Sequence, residues 1–333
     1  MVGEVIMRYS LHRNRSCRGL ASMKILIAIT LAMSSLNLGS ASEGRIRIIK
    51  TDEGYQFFEA EAPVLFYRTA PKATDEGGFS RASYCHPIYG LDGQVLTEDF
   101  PKDHLHHRGI FWAWHQVYVG DKAMGDMWAC EDFMWNVRTV QILPPEQDAA
   151  ALKASVYWKS SRWKNGLEPF AKEAVTIRVH QVADNTRLID FDIEILALEE
   201  GLRIGGSNDV KGYGGFSTRI LLPADLQMTD RNGPVTPQNT AVTAGDWMNF
   251  SGTFGNAVSN LAILVHPSHP GPPRQWILRA SGSAQNVAYP GREPIPISTT
   301  MPLVLRYRLV LHKNADLDHL YSQYSQMNAE DIQ

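Results

Sequence analysis

From Arg45 to His312 the apolar residues of this chain recur at alternate positions, and that period of two is what most limits how it can fold. Successive side chains of a strand point to opposite faces, whereas a helix needs apolar residues three and four apart. The clearest instance is residues 186–198, where Ile189, Phe191, Ile193 and Ile195 share one face and Asp190, Asp192 and Glu194 the other. With residues 170–182 and the Ala183-Asp184-Asn185 turn, this predicts a long hairpin with Arg178 opposite Asp190 and Thr176 opposite Asp192. The polar face is expected to be solvated, its cross-strand pairs worth a few tenths of a kcal/mol. Asn165-Gly166 marks a second hairpin, because type I′ turns need positive φ at both central residues. Helical spacing is confined to the tail, where Leu317, Leu320, Tyr321, Tyr324 and Met327 follow Asp316 as N-cap and predict a helix over 315–329. About fifteen short strands with glycine and proline turns predict an all-β fold, a large antiparallel β-sandwich with a short C-terminal helix.

The first 42 residues do not follow this pattern. Arg8, Arg13, Arg15, Arg18 and Lys24 lead into an apolar run over 25–33, which ends in Gly39-Ser40-Ala41-Ser42. That order is a secretory signal peptide cleaved near Ala41 or Ser42, with Met23 an alternative start. The expectation is an exported, periplasmic or extracellular protein with one domain over 43–333. Without the leader, 27 basic side chains face 34 acidic ones, a net charge of −7. An acidic, unpatterned surface disfavours nucleic acid and anionic membranes, which reward clustered Lys and Arg. Export permits a disulfide between Cys85 and Cys130, but two cysteines do not make a disulfide scaffold.

Chemistry is concentrated in residues 99–115, DFPKDHLHHRGIFWAWH, with four of the eleven histidines. His104, His106 and His107 fall within four positions, next to Asp103 and Arg108. Histidine titrates near neutrality and is the commonest metal ligand. If this stretch is extended, His104, His106 and Arg108 share one face and Asp103, Leu105 and His107 the other. These five polar residues, Asp103, His104, His106, His107 and Arg108, form the expected catalytic group. Tyr213, between Gly205-Gly206 and Gly214-Gly215, together with Arg219, His266 and His269, is expected to bind substrate. Trp112 and Trp128 are candidates to stack on a sugar ring, or else fill the core. The expectation is that residues from these separate motifs line one concave pocket.

Two chemistries fit. Histidines near neutral pKa, with an arginine to hold a carbonyl or carboxylate, suit acid–base work. His104-Leu105-His106 also has the spacing of strand-borne ligands for a divalent metal, with Asp126 or Glu131 arriving through the fold. No cofactor is otherwise assigned, and no GxSxG elbow, Walker loop, CxxC pair or Rossmann fingerprint occurs. A non-catalytic glycan-binding sandwich is the alternative from another class.

The segments HPIYGLDGQVLTEDFPKDHLHHRGIFWAW, YGGFSTR, DWMNFSG, LAILVHPSHPGPPRQWILR and PLVLRYRLVLH resemble a bacterial family called PmoA-like, or methane oxygenase PmoA, between Pro63 and Tyr324. The resemblance implies an all-β supersandwich of the aldose-mutarotase kind, and with it a carbohydrate partner: acid–base work on a sugar or keto-sugar, of epimerase, lyase or hydrolase type. It marks Asp103, His104, His106, His107, Arg108 and Gly109, then Tyr213, Gly214, Gly215 and Arg219, then Trp247, His266 and Pro267. Val265 stands where that family usually has an acid. No apolar run of about 20 residues follows residue 42, as a membrane mono-oxygenase would need, so the family name does not extend to oxygenase chemistry. If the leader is correct, mass spectrometry of protein exported by the native cell will find an N-terminus near Ser42 or Glu43. An intact Met1 or Met23 in that fraction would overturn it.

Overall fold

Alternation becomes sheet. In the computed structural model, which describes residues 45–271 and 274–327, the strands form two nine-stranded antiparallel sheets and a smaller four-stranded one. The proposed leader, Pro272, Pro273 and the end of the expected helix lie outside the described residues. The first large sheet takes the N-terminal strands in chain order up to Ile110–Ala113, then crosses to Gly215–Thr218 and Gln285–Ala288. The second is centred on Leu303–His312, between Ala257–Val265 and Thr186–Ala197. Their apolar faces meet in one core. The Trp112 ring of the first sheet lies 6.4 Å from Phe191 of the second, and Phe216 stacks on Tyr307 at 4.3 Å. The result is the antiparallel sandwich that the period of two requires.

The long hairpin forms as expected. Strands Ala171–His180 and Thr186–Ala197 pair with Arg178 opposite Asp190 and Thr176 opposite Asp192, and Asp184 and Asn185 both have positive φ. Its polar face, however, is not solvated. Asp190 and Asp192 are only 2% and 3% exposed. Arg308 reaches the Asp190 carboxylate at 2.6 and 2.9 Å, and Arg306 reaches Asp192 at 2.9 Å, both from the neighbouring strand Leu303–His312. The helix Leu317–Ser325 belongs to this cover: its Tyr324 ring lies 4.5 Å from the Arg308 guanidinium. Removing one partner of such a pair strands a buried charge, a loss of roughly 3–5 kcal/mol instead of tenths. Asp316 caps the helix, accepting the His319 N–H at 2.9 Å, and the helix stops at Ser325, short of the expected end.

Asn165-Gly166 does turn the chain, with positive φ at Lys164, Asn165 and Gly166. The loop between strands Ala149–Lys159 and Ala171–His180 is nevertheless wider than a two-residue turn. Cys85 and Cys130 are free thiols, the first fully buried. Among the described residues no helix is long and apolar enough to cross a membrane.

One carboxyl lies inside the sandwich. Glu173 is fully buried, accepting hydrogen bonds from Trp158 Nε1 at 2.9 Å and Ser83 Oγ at 3.1 Å. Burial pushes its pKa up to about 7, against the opposing pull of those donors and of Arg81. An acid with a folded pKa above its unfolded value of about 4.3 stabilises the fold most below that value, and the benefit is lost as pH rises towards 7. Glu173→Gln, whose amide can donate to Ser83 Oγ, should remove this loss. Its urea-unfolding free energy relative to wild type is expected to rise by roughly 2 kcal/mol between pH 5 and pH 8. Parallel pH profiles for the two proteins would contradict this account.

Candidate functional site

The histidine stretch does not fold as a strand. His104 N–H bonds Pro101 O at 3.0 Å and His107 N–H bonds His104 O at 2.9 Å, so residues 101–107 form successive turns. In a turn the residue three positions on comes back alongside, and strand alternation no longer applies. His104 therefore stacks on His107, ring centroids 4.6 Å apart, while His106 meets His107 edge-on at 4.5 Å. The chain becomes extended only at Ile110–Ala113, all four residues buried. It then leaves the large sheet at Trp114-His115 and enters the four-stranded one as Gln116–Val119. That change of sheet brings His115 out of the core.

These loops surround a cavity of about 470 Å³. Asp103, His104, His106, His107, His115 and Trp128 line it, joined by Tyr213 and Arg279 from segments distant in sequence. Tyr213 arrives on a tight loop that closes where Gly206 passes Gly212. A Cβ on Gly206 would lie 2.2 Å from the Gly212 carbonyl oxygen, so only glycine allows that approach.

Asp103 is the hub. Its carboxylate receives Arg219 Nη1 and Nη2 at 3.1 and 2.8 Å, the Ser283 N–H at 2.9 Å and His104 Nδ1 at 2.9 Å. Burial would raise its pKa, but the hydrogen bonds from His104, Ser283 and Arg219 prevail and hold it well below the usual carboxylate range. An ionised carboxylate only accepts, so His104 Nδ1 donates to it, and in the neutral imidazole the lone pair is then on Nε2. His115 repeats the arrangement: its Nδ1 lies 2.7 Å from Asp126 Oδ2, while Nε2 is buried with no protein partner among the described residues. His106 is pulled down to about 4, first by burial and then by Arg81, His104 and His115, so it stays neutral at physiological pH. Burial also lowers His107, whose Nδ1 has no protein partner among the described residues.

Several expected site residues lie elsewhere. Arg108 is wholly buried, donating to Leu105 O at 2.6 Å, His107 O at 2.8 Å and Phe79 O, with Phe100 3.5 Å from its guanidinium. It ties the turns together and does not line the cavity. Arg219, 4% exposed, acts only through Asp103, its Nε being taken by Glu98 at 2.8 Å. Trp112 is core filling against Phe191. Trp128 lines the cavity but is stacked on His115 and only 4% exposed, which leaves little ring face for a sugar. His266 is bonded to Ser268 Oγ at 2.7 Å and packs edge-on against Tyr324 of the C-terminal helix. His269 is held by Tyr307 Oη at 2.7 Å and Pro270 O at 2.8 Å. Trp247, marked by the family resemblance, anchors that helix through Asp318 at 3.0 Å. The expected single pocket thus gathers the histidine loop and Tyr213, but not His266 or His269.

Sequence reasoning passed over His115, Asp126 as its orienting partner, and Arg279. His115 was legible as the last residue of the aromatic run, where a polar side chain marks the run's end. Arg279 carried no such signal. As for a metal, His104 Nδ1 is occupied by Asp103 and the three imidazoles pack by ring faces and edges. Among the described residues no group of three or more His, Cys, Asp or Glu is placed to hold one.

No curated protein matches the chain. Among solved structures it is similar to a crystal structure of a "putative mutarotase" (YeaD) from Salmonella typhimurium. That similarity has 10% identity and a TM-score of 0.38, over 81% of this chain and 94% of that one. A family model matches residues 59–322, and its description does not carry the methane-oxygenase name. With most of its length matched, this chain belongs to that group, the "Family of unknown function (DUF6807)".

Proposed function

We propose that the protein is a carbohydrate-directed acid–base enzyme whose catalytic pair is His115, oriented by Asp126, and His104, oriented by Asp103. The observation that carries this reading is that the imidazoles of both imidazole–carboxylate dyads line one cavity. A carboxylate on Nδ1 fixes the tautomer, leaves Nε2 as the basic nitrogen and stabilises the imidazolium once a proton is taken. One dyad in its neutral form removes a proton from a hydroxyl or an acidic C–H, and the other, protonated, returns one to the reacting centre. Neutral His106 and the Tyr213 hydroxyl supply hydrogen bonds that orient the sugar. Arg108 and Arg219 are positioning residues that hold the loop and Asp103. The cavity volume suits a mono- or disaccharide. We further propose, from the leader, that the enzyme works outside the cytoplasm.

A glycan-binding module without turnover is the competing reading. It needs donors and aromatic faces but has no use for imidazoles backed by carboxylates, and the cavity offers little free aromatic face. The test is NMR in D2O of reducing aldoses, uronates and keto-sugars, following anomer interconversion, C–H deuteration and product formation. His115→Ala and His104→Ala should each lower turnover by about 10²-fold or more, with the unfolding midpoint nearly unchanged. Binding without any of these conversions in any pool, or full turnover by both folded variants, would overturn the reading.

A further inference from the structure

The carboxylates around the cavity each have a near partner. Asp103 shares Arg219 with Glu98 and also meets His104, Asp126 meets His115, and Lys211 Nζ lies 3.5 Å from Asp209. Arg279 is different. Its guanidinium donates to three backbone carbonyls, Gln238 O and Leu278 O at 2.7 Å and Asn239 O at 3.2 Å. Among the described residues no carboxylate pairs with it. It lines the cavity together with Tyr213, and it is half-buried. A partly desolvated guanidinium without a counter-charge is costly, and the carbonyls that fix its plane leave its charge uncompensated. Burial accordingly draws its pKa down.

Resting on the acid–base reading of the same cavity, we propose that the substrate is a sugar acid whose carboxylate is received by Arg279. The arginine fork matches a carboxylate in plane, and one uncompensated positive charge balances one negative charge. A dianionic phosphate ester would need further donors that this wall does not offer, since Lys211 already has Asp209. A carboxylate anchored there would hold the sugar ring in the cavity that His104 and His115 line, making Arg279 the specificity-determining residue.

The test is calorimetric binding of matched probes to the full-length folded protein: D-glucuronate and D-galacturonate against their uncharged amides and the parent aldoses. Each uronate should bind about tenfold or more tighter than its amide. That preference should shrink as ionic strength rises. Arg279→Met should abolish it while leaving aldose binding in place, and Arg279→Lys should keep part of it. Wild-type protein that binds no uronate more tightly than its amide would overturn the proposal, as would an Arg279→Met variant that retains the preference. If Arg279→Met does not fold, the amide comparison and its salt dependence in wild type decide alone. The readout is binding, so it fails independently of catalysis. A uronate preference in a protein whose His115→Ala and His104→Ala variants turn over normally would overturn the acid–base reading and leave Arg279 standing.

Discussion

The bidentate pair between Arg219 and Asp103 is the contact on which the site depends. Arg219 follows directly on a core strand of the large sheet, with its guanidinium almost wholly buried. Asp103 belongs to a turn that has no sheet of its own. Two N–H···O bonds from one planar fork fix both the position and the rotation of that carboxylate. The same oxygens then hold the Ser283 N–H and His104 Nδ1, so one carboxylate joins a strand end, a distant loop and an imidazole. Such a hub needs burial enough to resist screening and exposure enough to spare the cost of full desolvation. Asp103 meets both conditions, its side chain 38% exposed.

Behind this hub the molecule accepts an unusual load of buried charge. Arg81 is sandwiched by Phe111 and Trp135, at 4.8 and 4.4 Å, and donates to the carbonyls of Met127 and Trp128. It thereby holds the segment that carries Trp128 to the cavity wall, and its positive charge helps keep His106 neutral. On the outer face of the other sheet, Arg306 and Arg308 play the matching part for Asp192 and Asp190, beneath the C-terminal helix. Cations in this protein therefore brace backbone and carboxylates, and the acid–base groups are imidazoles held against carboxylates. Arg279, like Arg81, gives its N–H groups to backbone carbonyls, but it does so at the wall of the cavity and not in the core.

The cavity lies where the strands stop. Trp114 is pinned by its indole N–H to Tyr289 O at 2.8 Å, and with the next residue, His115, it spans the step from the large sheet to the small one. A rigid strand end is a precise mount for a catalytic group, because its backbone is fixed by ladder bonds on both sides. The histidine turns obtain comparable rigidity differently, from Arg108 bonding three carbonyls while lying against Phe100.

Much of the fold was written in local order. The period of two set the strands, and Asp184-Asn185 set the hairpin turn and, through it, the pairing of Arg178 with Asp190. Asp316 marked the helix start, and the crowding of His104, His106 and His107 marked where chemistry would sit. These follow from sequence because each depends on residues only a few positions apart. Which residues share a cavity is not local. Sequence placed Arg108, His266 and His269 in the site because of their types. The fold turned Arg108 inward to brace the loop and carried His266 and His269 to the C-terminal helix and the core. It brought in Arg279 instead, and gave His115 its role by pairing it with Asp126. Strand order in the sheets decided this, with Ile110–Ala113 pairing Gly215–Thr218 and Gly215–Thr218 pairing Gln285–Ala288. That order comes from burying both apolar faces at once, a constraint that acts across the whole chain and leaves no trace in the spacing of neighbouring residues.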